Sequence, residues 1–446
     1  MAAGLNIAVV GAGWAGLSAA VGATQAGHTA TVLEATEALG GRARALKATL
    51  PDGTPVILDN GQHILIGAYS ETLGLMRRVG VAPEQVLLDL PMTLLFPDGR
   101  GIRFPNWPTP LDALGGILGA RGWSLVDKWS LLRAAASWQR RGFVCDEALS
   151  VAKLCQDLTP RILAELIEPL CVSALNTPAN QASARVFLRV LRDALFGVAG
   201  GSHLLLPTTD LGALLPQAAT DWLQQRGAQV VLKARVEGLQ RSGTQWQLAG
   251  TGLGPAADKG FDAVIWATSA SNAAQSLMKY GLDAPENISK VVQNWTQTTQ
   301  ALHFEAIATV YAWSANAHLS QPMLALRSNA AQPAQFVFDR ASLGGPKGLL
   351  AFVVSAAQGD RATLQTQVLA QAKAQLGLDL VPALTVVEKR ATFACTPGLQ
   401  RPAQHIAPGL LACGDYVEGP YPATLEGAVR SGIAAIQALS LGAVGA

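Results

Sequence analysis

No side chain that is charged at pH 7 precedes Glu34. A hydropathy window flags residues 5–33 as a membrane span, yet Gly11, Gly13, Gly16, Gly22 and Gly27, with polar Gln25 and His28, interrupt it. The basic region that opens a signal peptide is missing as well. The stretch divides better into three elements. Asn6–Val10 is a short apolar, β-branched run, the pattern of a strand buried on both faces. Gly11-Ala12-Gly13-Trp14-Ala15-Gly16 forms a turn, residues 17–26 predict a small-residue helix closed by Gly27, and Thr29–Leu33 is a second strand. That order is a βαβ unit. Farther on, Leu211, Leu214, Leu215, Ala218, Ala219, Trp222 and Leu223 predict an amphipathic helix ending at Gly227. A β-rich run follows over 228–236, then a hairpin-like stretch around 244–249 and an apolar strand over 263–268. Near the end, residues 409–415 read as an apolar strand closing on Gly-Asp. Leu425, Ala428, Val429, Gly432, Ile433 and Ile436 then mark one buried face of a helix that starts near Thr424.

At 446 residues the chain is long enough for two or three units and a large core. Charged residues make up 14% and hydrophobic ones 50%, against about 25% charged in an average domain. Disorder is thereby excluded, and without a Gly-x-y period so is collagen. A net charge of +2 excludes a general nucleic-acid binder. The five cysteines are scattered, with no Cys-x-x-Cys pair, so neither a zinc site nor a disulfide framework is expected, and a reducing, cytoplasmic setting is the simplest expectation. No metal site is expected.

Gly-x-Gly-x-x-Gly is a weak signal alone, but here it follows a strand and opens a helix. Glu34 ends the second strand 18 residues after Gly16. Gly11 makes the tight turn, Gly13 admits a pyrophosphate to the backbone beside Trp14 and Ala15, and Gly16 lets helix and strand pack closely. The helix start offers free N–H groups and a partial positive charge. Glu34, followed by Ala35, would accept hydrogen bonds from a ribose. Gly40-Gly41-Arg42 permits a second close approach with a cation beside it; the structural alternative for Arg42 and Arg44 is a solvated surface pair. The doublet resembles the second nucleotide motif of the large FAD-binding family that holds amine oxidases and carotenoid desaturases. In that family's pattern, the Asp matching Asp415 after Gly414 holds the ribityl and phosphate region. The segment around Val236 meets the adenine, and the strand end at Ala267 lies near the pyrophosphate. A helix starting at Ala423, Thr424 and Leu425 would aim its dipole at the reduced flavin. The resemblance implies an α/β fold, with a Rossmann-like FAD-binding domain assembled from residues 5–88, 203–270 and 396–446. An inserted α+β substrate domain would span 89–202 and 271–395.

Asp59-Asn60-Gly61-Gln62-His63 follows a predicted strand over 56–58. Gly61 and Gln62 would approach the flavin, and His63 would either donate a proton near neutral pH or serve as a structural histidine. Asp59 orders the turn. Together, Asp59-Asn60-Gly61-Gln62-His63-Ile64-Leu65-Ile66-Gly67-Ala68-Tyr69 and the string from Cys413 to Ala428 resemble the hydroxysqualene dehydroxylases. That resemblance implies reductive removal of a hydroxyl from hydroxysqualene, yielding squalene and water with FADH2 as hydride donor. It also implies an apolar substrate tunnel, an outside reductant and other squalene-synthesis enzymes as partners. A carotenoid-type desaturase and a non-catalytic FAD-binding lipid carrier remain as alternatives.

Residues 105–145 interleave Trp107, Trp123, Trp129 and Trp138 with Arg121, Lys128, Arg133, Arg140 and Arg141, and Leu125, Trp129, Leu132 and Ala136 share a helical face. The pattern suits either a helix lying on the cytoplasmic membrane's inner face or a helical subdomain that buries its Trp residues.

Overall fold

The structure, a computed structural model, describes residues 4–442; residues 443–446 of the expected C-terminal segment lie outside the described residues. Asn6–Val10 pairs in parallel on both flanks, with Thr29–Leu33 and with Ala263–Trp266. Gln229–Val231 extends the sheet beyond Thr29–Leu33. Leu410–Ala412 extends it beyond Ala263–Trp266, and His405–Ala407 closes that edge antiparallel. Flanking strands and covering helices bury Ile7 to Val10, which explains the uninterrupted apolar run. The strand order reverses at Asn6–Val10, so a crevice opens at the carboxyl ends of these strands.

Helix Trp14–Gln25 covers one face and helix Leu425–Gly442 packs on it. Gly432 allows this contact, since a Cβ there would overlap the Ala15 carbonyl oxygen. The Ser18 hydroxyl donates to the Val429 carbonyl at 2.9 Å. The chain's two ends thus share one layer, as the expected α/β fold requires.

Two expectations change. The apolar run 211–223 is two helices, Leu211–Leu214 and Pro216–Gln224, because Pro216 cannot continue the first. The run 228–236 also divides: Gln229–Val231 joins the large sheet, while Arg235–Ser242 pairs with Gln245–Thr251. Lys233, at φ +56°, turns the corner between them.

A second, antiparallel sheet is ordered Met323–Ala325, Phe336–Asp339, Leu349–Ser355, Phe304–Trp313, Val381–Phe393. Its strands alternate with period two. Ala308, Val310, Phe352 and Val354 lie with Leu364 and Val368 of helix Arg361–Leu376 in one core cluster. Ile307, Phe336, Phe338 and Val353 face the other way, toward the crevice. Helices lie between Leu111 and Phe196, and further helices and smaller sheets, among them Ala270–Asp283, Glu286–Gln300 and the hairpin Ala45–Thr49 with Pro55–Asp59, accompany them. Among the described residues no helix is long and apolar enough to cross a membrane.

Candidate functional site

A cavity of about 1070 Å³ occupies the crevice. Every residue singled out above as cofactor-binding lines it except Gly16. Gly16 lies beneath the turn, where a Cβ would overlap the Gly11 carbonyl oxygen, so its role is helix–strand packing. Gly11 has φ +112°, and a Cβ there would stand 2.8 Å from the Ala267 carbonyl oxygen. Gly13 differs: nothing lies within 4 Å of its Cβ position. Bare backbone at Gly13 therefore serves the cavity and not the fold. Gly13 also begins helix Trp14–Gln25 with no side-chain cap, leaving the first-turn N–H groups open to an anion.

The second glycine motif fastens to the first. Gly40 N–H donates to the Ala12 carbonyl at 2.9 Å, while Gly40 and Gly41 take φ +95° and +63°. Glu34 braces this turn: Oε2 accepts from Ala12 N–H at 2.9 Å, and Oε1 accepts from Thr36 N–H at 2.9 Å. Arg42 is not a solvated surface residue. Its guanidinium pairs with Asp415 and donates to the Ala391 carbonyl at 2.6 Å. Asp415 in turn accepts Ala423 N–H on its backbone carbonyl at 3.2 Å. The Thr424 hydroxyl caps helix Leu425–Gly442 by accepting Gly427 N–H at 2.9 Å. Residues remote in sequence are thus locked around one wall.

The turn Asp59–His63 forms the adjoining wall. Asp59 is buried and accepts Leu211 N–H at 2.8 Å; Arg340, also buried, stands 3.8 Å from it. Arg340 donates to Gln62 Oε1 at 2.8 Å, and the Tyr311 hydroxyl donates to the Asp59 carbonyl at 2.9 Å. Burial, only partly offset by Leu211 N–H and Arg340, pushes the Asp59 carboxyl up to about 6. His63 is half-buried and lines the cavity. Burial and then the Arg42 charge push it down to about 4. That downward shift favours an uncharged imidazole at neutral pH, which can still offer a hydrogen bond to a neighbour.

These two groups act in opposite directions on stability. An unfolded histidine titrates near 6.5, so the stability of keeping His63 neutral is present above pH 6.5 and lost as pH falls toward 4. Asp59 contributes below pH 3.8 and loses its contribution as pH rises through 6. In flavin-free protein, His63→Gln is therefore expected to gain about 2–3 kcal/mol relative to wild type between pH 7 and pH 4.5. Urea unfolding at both values checks this; an unchanged difference contradicts the neutral assignment.

Sequence reasoning missed the walls supplied from the inserted segments. Val172, Ser173 and Leu175, on helix Glu168–Leu175, line the cavity, as do Phe336, Phe338 and Val353 of the second sheet. These carry no motif; only the period-two alternation of the second sheet signals which of them face inward. Asn60, another omission, accepts Arg44 N–H at 3.1 Å and holds the two wall segments together.

A sequence model described as flavin containing amine oxidoreductase matches residues 14–439. The chain belongs to this family. The protein is accordingly an FAD-dependent oxidoreductase, and its α/β fold is the family's. Among curated relatives, the chain is 27% identical over 444 residues to a hydroxysqualene dehydroxylase of Sinorhizobium fredii, covering 96% of each. It is 34% identical over 119 residues to a 15-cis-phytoene desaturase of Glycine max, covering 26% of this chain and 20% of that one. Among solved structures, an oxidoreductase from Methanosarcina mazei superposes with TM-score 0.71 at 14% identity, covering 97% and 99% of the two chains.

The site of this flavin containing amine oxidoreductase fits FAD by its donor set. The space over Gly13, the uncapped helix start and the left-handed Gly40–Gly41 turn suit a pyrophosphate. The Glu34 carboxylate faces the same cavity and suits a ribose. Among the described residues no group of His, Cys, Asp and Glu is arranged to hold a metal ion.

Proposed function

We propose that this enzyme removes the hydroxyl of hydroxysqualene, the alcohol and FADH2 giving squalene, water and FAD. The observation that carries the reading is the cavity's apolar end. Val172, Leu175, Ile307, Phe336, Phe338 and Val353 line it with apolar side chains, and Glu388, across from Ile307, is an ionisable neighbour on the same sheet wall; the apolar set suits a long hydrocarbon chain. The full-length likeness to a hydroxysqualene dehydroxylase supports the same reading. Bound FADH2 supplies the hydride that replaces the departing oxygen. The chain's own residues orient and enclose. Gly11–Ala15 hold the pyrophosphate, Arg42 and Asp415 fix the wall between the two nucleotide motifs, and neutral His63 offers hydrogen bonds without adding charge. Val236 and Ala267 line the nucleotide end, and the helix start at Ala423–Leu425 turns its partial positive charge to the flavin.

A second reading, desaturation of a polyene precursor, is favoured by the shorter likeness to a phytoene desaturase; substrate then gives up hydride instead of receiving it. An outside reductant and neighbouring squalene-synthesis enzymes belong to the first reading. Anaerobic incubation of reduced, purified protein with hydroxysqualene, and separately with phytoene, tests the choice. Squalene formed at up to one equivalent per flavin is expected. New double bonds in either substrate contradict dehydroxylation, and unreacted substrate beside bound flavin supports a carrier.

A further inference from the structure

The molecule carries an apolar surface that the catalytic reading leaves unexplained. Helix Leu111–Gly119 exposes Leu111, Leu114 and Leu118 at i, i+3 and i+7. Its one ionisable residue, Asp112, is turned inward and 3% exposed. No polar side chain of that helix faces solvent. Helix Leu125–Arg140 packs beside it and exposes Leu125, Val126 and Trp129, at 84%, 68% and 68%. Its inner face already buries Leu131 and Trp138. Of the face expected from Leu125, Trp129, Leu132 and Ala136, Leu125, Trp129 and Ala136 are exposed, while Leu132 packs half-buried against the core. Trp107, 57% exposed, lies against Gly115, where a Cβ would stand 2.6 Å from its ring. Trp123 and Trp138 are buried, so the four Trp residues divide between core and surface.

Charge completes the picture. Within residues 105–145 the carboxylates are Asp112 and Asp127, both buried. Asp127 closes a capping box with Ser124 and accepts from the Thr159 hydroxyl at 2.6 Å. The charges this segment shows to solvent are Arg121, Lys128, Arg133, Arg140 and Arg141, all positive. Lys128 reaches across the helix junction to donate to the Leu118 carbonyl at 2.6 Å, placing its ammonium beside the leucine stripe. The exposed acids Asp146 and Glu147 lie past the far end of the second helix.

We infer that Leu111–Gly119 and the first two turns of Leu125–Arg140 form a docking face for an anionic lipid bilayer. The leucines and Val126 enter the acyl boundary, Trp107 and Trp129 sit at headgroup depth, and the basic side chains meet lipid phosphates. An apolar stripe flanked by Arg121, Lys128 and Arg133, with no exposed carboxylate of residues 105–145 beside them, matches that interface, whereas a protein groove or a second copy would have to answer these cations with its own carboxylates. This surface goes beyond the proposed reaction and does not depend on which isoprenoid is turned over.

Cosedimentation of the flavin-loaded protein with vesicles tests it. Wild type is expected to bind phosphatidylcholine vesicles containing 30% phosphatidylglycerol. Binding should fall several-fold on pure phosphatidylcholine or in 0.5 M NaCl. Leu114→Ser/Leu118→Ser/Trp129→Ser should lower the vesicle partition coefficient at least tenfold, and Arg121→Gln/Arg133→Gln should weaken the dependence on anionic lipid several-fold. Both variants should keep wild-type flavin absorbance and turnover of detergent-solubilised substrate. Wild type remaining in the supernatant overturns the proposal, as does a dimer in sedimentation velocity that the triple variant abolishes. Vesicle binding without hydroxysqualene turnover leaves this face standing and contradicts only the proposed reaction.

Discussion

Gly13→Val is expected to give a folded, colourless protein. At φ −75° and ψ 177° the Gly13 backbone lies in the extended region that valine favours, and no atom lies within 4 Å of the added Cβ. Loss of a glycine cap costs at most about 1 kcal/mol. The new methyl groups occupy only the cavity, where the pyrophosphate would meet the backbone. FAD affinity should fall at least about 100-fold, roughly 2.7 kcal/mol. Flavin absorbance after desalting, with circular dichroism and apoprotein urea midpoints, checks both halves. Retained flavin at wild-type stoichiometry would contradict the cradle. Gly16→Val is the contrasting case: its Cβ overlaps backbone, so the fold itself should fail.

The second large effect is on stability. Arg340→Met should lower the unfolding free energy by about 3–5 kcal/mol, the usual consequence of removing one partner from a buried ion pair. Asp59 would keep its burial and lose its cation, and Gln62 would lose its donor. Asp59→Asn should recover a good part of this in the double variant, because the neutral amide keeps an oxygen for Leu211 N–H and no longer needs a charge beside it. Urea unfolding of the four proteins gives the coupling directly. Additive losses would mean that Arg340 acts through packing alone.

The nucleotide half of the site was legible because each of its requirements is local. A turn at Gly11, an open backbone at Gly13 and an acid closing the next strand recur within a few dozen residues, and backbone geometry alone demands them. The second doublet and the Gly414–Asp415 strand end were legible as motifs, but their mutual contact was not. Arg42 meets Asp415 across 373 residues of chain, and nothing local announces an ion pair of that separation. His63 shows a different limit: sequence places the imidazole in the turn, while its charge depends on burial and on the Arg42 guanidinium. The inserted walls were unreadable for a third reason. Phe336, Phe338 and Val353 look like any strand residues, and only the helix covering the sheet's opposite face decides which of them turn inward. In helix Leu125–Arg140 both faces are apolar enough to be core, so periodicity could not tell the buried side from the exposed one.

A crystal structure of the yellow, purified protein tests the account most directly. It should show one FAD whose pyrophosphate lies over the Gly11–Ala15 backbone. The isoalloxazine should be bordered by Gly61–His63 and Ala423–Leu425, with the Phe336 and Phe338 side chains beyond it. Flavin density elsewhere, or a ring turned toward solvent away from that apolar end, would contradict the account.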